Sequence, residues 1–378
     1  MLLLRARLVG IGPFDDATFT LGEAGPTGAG APEPARSPRS ATVVIGGAGA
    51  GKTSLLAAVA STRPGHAVAQ LLGRADAGAP GHVVTDWHLG DDDPARPHPL
   101  RVASPNAKLD DEPEDLALVR RREQTLFDRR AAEGGFVFVA FSGARWFSRT
   151  PVAITTPDRT LLRYDVRAAA SFDDASRADL TRETKQALSF AAIGAALAEQ
   201  RASIDGAGLA NGRAPRPDGA ALAARLGRFQ VAMSAVVSAA LEGSGFSYDG
   251  IDPGRLEPIF SERAGAGMLF DDLPRGLRHA VALVVLPLRA LCAAYPDRDP
   301  RDAEGLVLVD DAEAQLPLGH QRTLVPRLRR ALPRVQWLLT TASPAIAEGA
   351  EIGDVIALRR LPGSNKVELY DGASAVLH

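Results

Sequence analysis

An apolar run, Ala41-Thr42-Val43-Val44-Ile45, leads directly into Gly46-Gly47-Ala48-Gly49-Ala50-Gly51-Lys52-Thr53-Ser54, and a helix-forming run, Leu55-Leu56-Ala57-Ala58-Val59-Ala60, leads out. Gly46, Gly51, Lys52 and Thr53 spell the phosphate-loop pattern G-x-x-x-x-G-K-[ST] in the strand–loop–helix setting that the pattern needs. No other stretch constrains the fold so tightly. Glycines let successive backbone N–H groups turn inward around a polyphosphate, and the following helix N-terminus adds its partial positive charge. The loop residues Gly46, Gly47, Gly49, Ala50, Gly51 and Ser54 are therefore expected to cradle ATP. Lys52 is expected to reach the β- and γ-phosphates, and the Thr53 hydroxyl to ligate Mg²⁺.

The matching half of such a site is a buried strand that delivers a carboxylate beside the loop. Gly305-Leu306-Val307-Leu308-Val309-Asp310-Asp311-Ala312-Glu313 has that form, an apolar strand ending in acids. Asp310 is assigned to magnesium, directly or through water. Asp311, one residue on, is placed to polarise an attacking water, and Glu313 is close enough to assist. The catalytic set read from the sequence is thus Lys52, Asp311 and Glu313, with Thr53 and Asp310 as metal ligands.

Alternating helix and strand signals after residue 268 imply the parallel sheet of an α/β fold: helix 274–294, strand 305–310, helix 320–332, strand 335–341, then strands 354–358 and 366–370. Residues 2–9 and 17–21 read as two short strands. Strand-like pieces also dominate 82–104, 136–141 and 161–166, with a polar helix near 113–133. Helical periodicity marks 178–202 and 219–242. The expected organisation is an ATP-binding core at 1–63 and 262–378, a β-rich insertion at 64–170 and a helical subdomain at 171–261. The Gly-, Ala- and Pro-rich stretch 22–40 is expected to be a flexible insertion, since that composition cannot pack a core.

With 378 residues, 46% of them hydrophobic, a sizeable core is affordable. A net charge of −2 gives no overall pull toward nucleic acid or anionic membrane, although 43 basic residues leave room for a local patch. The single Cys292 excludes an internal disulfide and a cysteine-based zinc site, as suits a reducing compartment. The apolar start Met1–Val9 is too short for a signal peptide. The longest apolar candidate, Ala280–Ala294, is interrupted by Pro287 and Arg289, so no membrane span is expected and the chain is placed in the cytoplasm.

The segments Val307-Leu308-Val309-Asp310-Asp311-Ala312-Glu313-Ala314-Gln315-Leu316-Pro317-Leu318-Gly319-His320-Gln321 and Val335-Gln336-Trp337-Leu338-Leu339-Thr340-Thr341-Ala342-Ser343-Pro344 resemble the carboxy-terminal half of soluble ABC-type P-loop ATPases of the RecF, SMC and OLD-nuclease group. The opening strand, an Ile-Gly-Pro-Phe loop at 11–14, a second strand and the phosphate loop are similar to the start of the same proteins. The resemblance covers roughly half of the chain. It implies an ABC-type ATPase core that dimerises head to tail, as a homodimer or higher oligomer with ATP and Mg²⁺ between the copies. The signature loop that closes the partner's site would be Leu273-Pro274-Arg275-Gly276-Leu277-Arg278. Gly276 would contact the nucleotide, and Arg275 or Arg278 would supply positive charge where Pro274 replaces the usual serine. Arg145, after the strand at 136–141, holds the place of a loop that approaches the γ-phosphate.

Three departures predict slow hydrolysis. Pro274 brings no hydroxyl, Asp311 is one methylene shorter than the usual Glu, and Ala342 replaces the histidine that senses the γ-phosphate. A displacement of about 1 Å in a water-positioning group costs about 10²-fold in rate. His82, His88 and His98 lack the tight spacing of a zinc site. The basic clusters 120–122, 129–130 and 327–330 read first as solvated helix faces, with nucleic-acid contact the second reading. Three functions then compete: a slow ATPase whose dimerisation regulates a partner protein or nucleic acid, a nucleotide-gated binding module with little turnover, and the ATPase subunit of a transporter. The first two are favoured, and the resemblance implies work in DNA repair, chromosome maintenance or defence against phage and plasmids. No further catalytic domain is recognised, so effector activity is expected from a partner.

Overall fold

A computed structural model describes residues 1–23, 37–65, 81–105, 107, 109, 112–130, 135–152, 179–210, 219–263, 265–372 and 374–375. The chain opens with the hairpin β1 (Leu2–Ile11) and β2 (Phe14–Thr20), followed by the short pair β3 (Gly22–Glu23) and β4 (Ser37–Pro38). Next come β5 (Ala41–Gly46), α1 (Lys52–Ser61), β6 (His82–His88), β7 (Leu100–Ala103), α2 (Glu114–Arg130) and β8 (Phe138–Phe141). Two long helices, α3 (Thr181–Ala210) and α4 (Gly219–Leu241), lead to β9 (Phe246–Ile251), β10 (Pro258–Glu262) and β11 (Gly267–Leu269). The last third contains α5 (Arg275–Ala294), β12 (Gly305–Val309), α6 (Leu318–Ala331), β13 (Val335–Thr341), α7 (Pro344–Glu348), β14 (Val355–Arg360) and β15 (Val367–Asp371).

The core is a six-stranded sheet in the order β15-β14-β5-β13-β12-β8. All neighbours in it run parallel except the β14–β15 hairpin. Every residue of β12 and β13 is buried, which explains why these strands read as unbroken apolar runs and carry almost no alternation. Alternate residues feed two separate cores. Val43, Val307, Val309, Trp337 and Leu339 face α3, α4, α5 and α6. Val44, Leu306, Leu308, Leu338, Ile356 and Leu358 face α1 and the second sheet. That second sheet is antiparallel, in the order β2-β1-β6-β7. Its β1 alternates between buried and partly exposed residues, as expected for a sheet with one face on a core.

One buried side chain joins the two sheets. Gln336 of β13 accepts from the Leu3 amide at 2.6 Å and donates to the Leu3 carbonyl at 2.8 Å, so it pairs with β1 as a strand backbone would.

Several boundaries differ from the sequence reading. The region 64–170 does not stand apart as a β-rich insertion. β6 and β7 extend the amino-terminal sheet, because Val83, Thr85 and Trp87 form an inward face that β1 continues. β8 is instead the edge strand of the core sheet, paired with β12. The strand expected at 161–166 lies outside the described residues, as do 24–36 of the expected flexible insertion, whose flanks pair as β3 and β4. Region 171–261 is not all helix: β9 and β10 form a small antiparallel sheet with β11.

The expectation that no uninterrupted apolar run reaches membrane length stands beside two helices that pass by mean composition, with arginines inside both. α4 and α5 are both long and apolar enough to cross a membrane by length and composition. Pro287 is accommodated within α5 and does not end it. Packing explains the composition of α5, since 83% of its apolar window is buried between α3, α4, α6 and the core sheet.

Candidate functional site

The phosphate loop leaves β5 at the carboxyl end of the core sheet and enters α1 at Lys52. Two of its glycines are obligatory. Gly49 and Gly51 have φ of +73° and +89°, the left-handed region that side chains disfavour. A Cβ on Gly51 would also lie 2.6 Å from Pro13 Cγ and 2.7 Å from Phe14 Cζ, so the β1–β2 turn seats against the loop. Gly12 in the same turn approaches Ser54, whose Oγ is 2.7 Å from where a Cβ would stand. Around Gly47 that position meets nothing within 4 Å, which leaves its side of the loop open. Ala50 is buried against Gly46. The Lys52 ammonium folds back on the loop, donating to the carbonyls of Gly46 at 2.8 Å and Gly47 at 3.1 Å.

Three neighbouring strands converge beside Lys52. From the start of α1, the Thr53 hydroxyl donates to Asp310 Oδ2 at 2.8 Å, just past the end of β12. Asp310 Oδ1 accepts from the Thr340 hydroxyl of β13 at 2.6 Å, and Thr340 Oγ1 in turn accepts the Asp311 amide at 3.0 Å. Hydroxyl and carboxylate oxygens brought this close form a hard donor set that suits Mg²⁺. Thr53 and Asp310 are the residues that would hold the ion.

The other two acids are held differently. Asp311 has φ 44°, an uncommon conformation for a residue with a side chain. Gly143 makes room for it: a Cβ there would lie 2.8 Å from Asp311 Oδ2. Burial raises the Asp311 pKa, and the neighbouring Asp310 and Glu313 charges raise it further. Glu313 is pinned by both oxygens, accepting from the Thr341 hydroxyl at 2.6 Å and the Ala342 amide at 2.8 Å. Ala342 brings no imidazole, and its backbone N–H is taken up by Glu313.

Arg145 does not point into the loop. It is 3% exposed, and its guanidinium donates to the carbonyls of Ser142 at 2.7 Å and Asp311 at 2.7 Å, to the Asp310 carbonyl and to His279 Nε2. Burial lowers its pKa to about 10, against the pull of the three acids, so it stays charged at neutral pH. His279 was not singled out from the sequence, because nothing local marks a histidine in an apolar helix as the partner of an arginine far upstream. Burial and the Arg145 charge push its pKa well down, so the imidazole is neutral.

Gly276 and Arg275 lie outside this network, at the start of α5. Gly276 is pressed against the segment that follows the acids, where a Cβ would sit 2.7 Å from Pro317 Cδ and 3.2 Å from the Gln315 carbonyl. Arg275 is exposed. Arg278 is buried, with its guanidinium 5.5 Å from the centre of the Phe147 ring, so of the two arginines only Arg275 faces solvent.

This geometry defines a class: a P-loop ATPase fold of ABC type. The chain aligns over its full length with the SMC head bound to the C-winged helix domain of ScpA, at 12% identity, 100% coverage of both chains and a TM-score of 0.50. The SMC head domain from Thermotoga maritima is matched over 98% of this chain and 99% of that one, at 12% identity and a TM-score of 0.48. No family model matches the chain. Among curated proteins, the Retron Ec83 probable ATPase of Escherichia coli is 27% identical over 88 residues, 23% of this chain and 16% of that protein. The Septu protein PtuA of Bacillus mycoides is 28% identical over 102 residues, 27% of this chain and 14% of its own length. The chain thus matches only a small part of these relatives.

Proposed function

We propose that this chain is a slow ABC-type ATPase whose two copies close head to tail around ATP and Mg²⁺, each P-loop facing the Gly276 loop of the other copy. The observation that carries the reading is the hydrogen-bonded chain Thr53–Asp310–Thr340, which joins the start of α1 to the carboxyl ends of β12 and β13. Its hydroxyl and carboxylate groups are suited to a divalent ion beside a polyphosphate. When bound, the ion supplies charge neutralisation for the phosphates. Lys52 supplies a second cation, at present satisfied by the loop's own carbonyls. Asp311 is the carboxylate assigned to orienting water, and the pinning of Glu313 favours it over Glu313 for that role. Gly276 and the exposed Arg275 are assigned to the partner copy's nucleotide.

The same pinning supports a second reading, a nucleotide-gated module that dimerises and scarcely hydrolyses. In either case the dimer is proposed to act through a protein partner. The SMC head likeness includes a structure bound to a domain of ScpA, and one partial relative is named a probable ATPase. Nucleic acid is retained as a second kind of partner. The motif resemblance extends this to a cytoplasmic role in DNA repair, chromosome maintenance or defence against phage and plasmids.

Steady-state ATP turnover of wild type, Lys52→Ala and Asp310→Asn, run beside size-exclusion profiles with and without ATP, tests this. Turnover abolished by either change supports the enzyme, and an ATP-dependent dimer without turnover supports the gated module. A wild type that binds no ATP would sink both.

A further inference from the structure

The Arg145 guanidinium spends its donors on backbone and imidazole, and among the described residues none reaches a carboxylate side chain. Two donors hold the carbonyls of Asp310 and Asp311, the residues that present the acids. A third holds His279, one turn of α5 beyond Gly276. The Gln315 side-chain amide closes the loop, donating to the Arg145 carbonyl at 2.7 Å. The Gln315 carbonyl in turn lies against Gly276. Arg278, next to His279, stacks on Phe147, two residues after Arg145. The acidic turn and the first turns of α5 are thus joined through one buried cation.

This arrangement is costly for stability alone. Because His279 Nε2 accepts from Arg145, its proton sits on Nδ1, which is buried and has no partner among the described residues. A buried donor left unsatisfied is disfavoured, and an apolar pair of similar shape would avoid both it and the buried charge. Such exceptions call for an explanation beyond packing.

We propose that Arg145, through His279, is a positioning residue that couples the acids of one site to the Gly276 loop offered to the other copy. Within this coupling, any movement of the Asp310 and Asp311 carbonyls is carried through a rigid guanidinium to α5, so the presentation of Gly276 depends on what occupies Thr53 and Asp310. Contiguous hydrogen bonds between packed elements are a sufficient physical route for it. The proposal rests on the composite-site reading above.

The test uses the full chain with Mg²⁺ and the non-hydrolysable β,γ-imido analogue of ATP, so that hydrolysis plays no part. Nucleotide affinity is read by fluorescence titration and dimerisation by sedimentation velocity for wild type, His279→Gln and His279→Leu. Glutamine keeps an acceptor for Arg145 and leucine does not. His279→Leu is expected to bind the analogue within about twofold of wild type and to dimerise about tenfold or more less tightly, the size expected from one lost charge-assisted hydrogen bond. His279→Gln is expected to restore most of the dimer. If His279→Leu fails to fold, the double variant Arg145→Met/His279→Leu removes charge and imidazole together and must show the same split between binding and dimerisation. Wild-type dimerisation by His279→Leu or the folded double variant, or equal losses in Gln and Leu, overturns the coupling while leaving the composite site intact. A wild type that binds the analogue and stays monomeric overturns the composite site itself, and the coupling with it.

Discussion

Replacing Thr340 with valine removes one hydroxyl and almost nothing else, and the structure indicates what should follow. Thr340 is fully buried on β13. Its Oγ1 donates to Asp310 Oδ1 at 2.6 Å and accepts the Asp311 amide at 3.0 Å. Valine fills the same volume and suits a strand equally well. A hydrogen bond to a charged group contributes about 1.5–3 kcal/mol, and a buried donor left unpaired costs about 1–3 kcal/mol. The Asp311 amide belongs to a partly exposed turn, so its share falls at the low end and the sum is about 3 kcal/mol. At about 1.3 °C per kcal/mol for a chain of this length, the melting temperature should drop by about 4 °C. Asp310 would also lose the contact that fixes its carboxylate toward Thr53, so Mg²⁺-dependent ATP binding should weaken by about tenfold. Thr340→Ser keeps the hydroxyl and should lose only about 1 kcal/mol, the contribution of one buried methyl group. Scanning fluorimetry and ATP titrations at fixed Mg²⁺ read both effects. A valine variant that melts and binds like wild type, or a serine variant as damaged as the valine one, would refute the assignment of Thr340 as the brace of Asp310.

Asp311→Asn should stabilise the protein at neutral pH while lowering turnover. Burial, with Asp310 and Glu313 beside it, raises the Asp311 pKa above its ordinary value, so between the two values the folded chain binds more protons than the unfolded one and stability falls as pH rises. The advantage of asparagine should therefore shrink as melting curves are taken down toward pH of about 4, and an advantage unchanged with pH would count against this account. Gly51→Ala should cost about 2–4 kcal/mol in urea melts, combining a left-handed backbone with a clash against Pro13 and Phe14. Gly47→Ala, where a Cβ meets nothing, should be nearly neutral in the same assay.

How much of this was legible in the sequence depends on how local each signal is. β12 and β13 were readable because strands buried on both faces must be apolar throughout, and Asp310 was readable because a carboxylate after such a strand is conspicuous. The loop was readable because Gly51 has to be glycine, for its φ and for its contact with Phe14 alike. Thr340 was visible as a strand residue within the resembling segment, but its hydroxyl acquires a role only once β12 lies alongside. Arg145 was placed near the phosphates by its position after β8. Its actual partners are carbonyls and an imidazole brought together by sheet order and by α5, which no local spacing encodes. β6 and β7 were recognised as strands but assigned to the wrong unit, because pairing with β1 is a tertiary choice that alternation alone does not specify.

Three carboxylates within four positions would look interchangeable from their spelling, and their partners separate them. Asp310 is engaged by two hydroxyls, ligands that can share an oxygen with a cation without leaving it uncompensated. Glu313 is engaged by a hydroxyl and a backbone N–H, which fix the start of the turn toward α7. Asp311 is set against the backbone of Gly143 in a strained turn with a raised pKa, the condition in which a carboxylate has most to gain from accepting a proton. Under the proposed function, position in the turn separates the three acids into a metal ligand, a water-orienting group and a scaffold. The Ala342 amide is bonded to Glu313, so position 342 anchors an acid through its backbone.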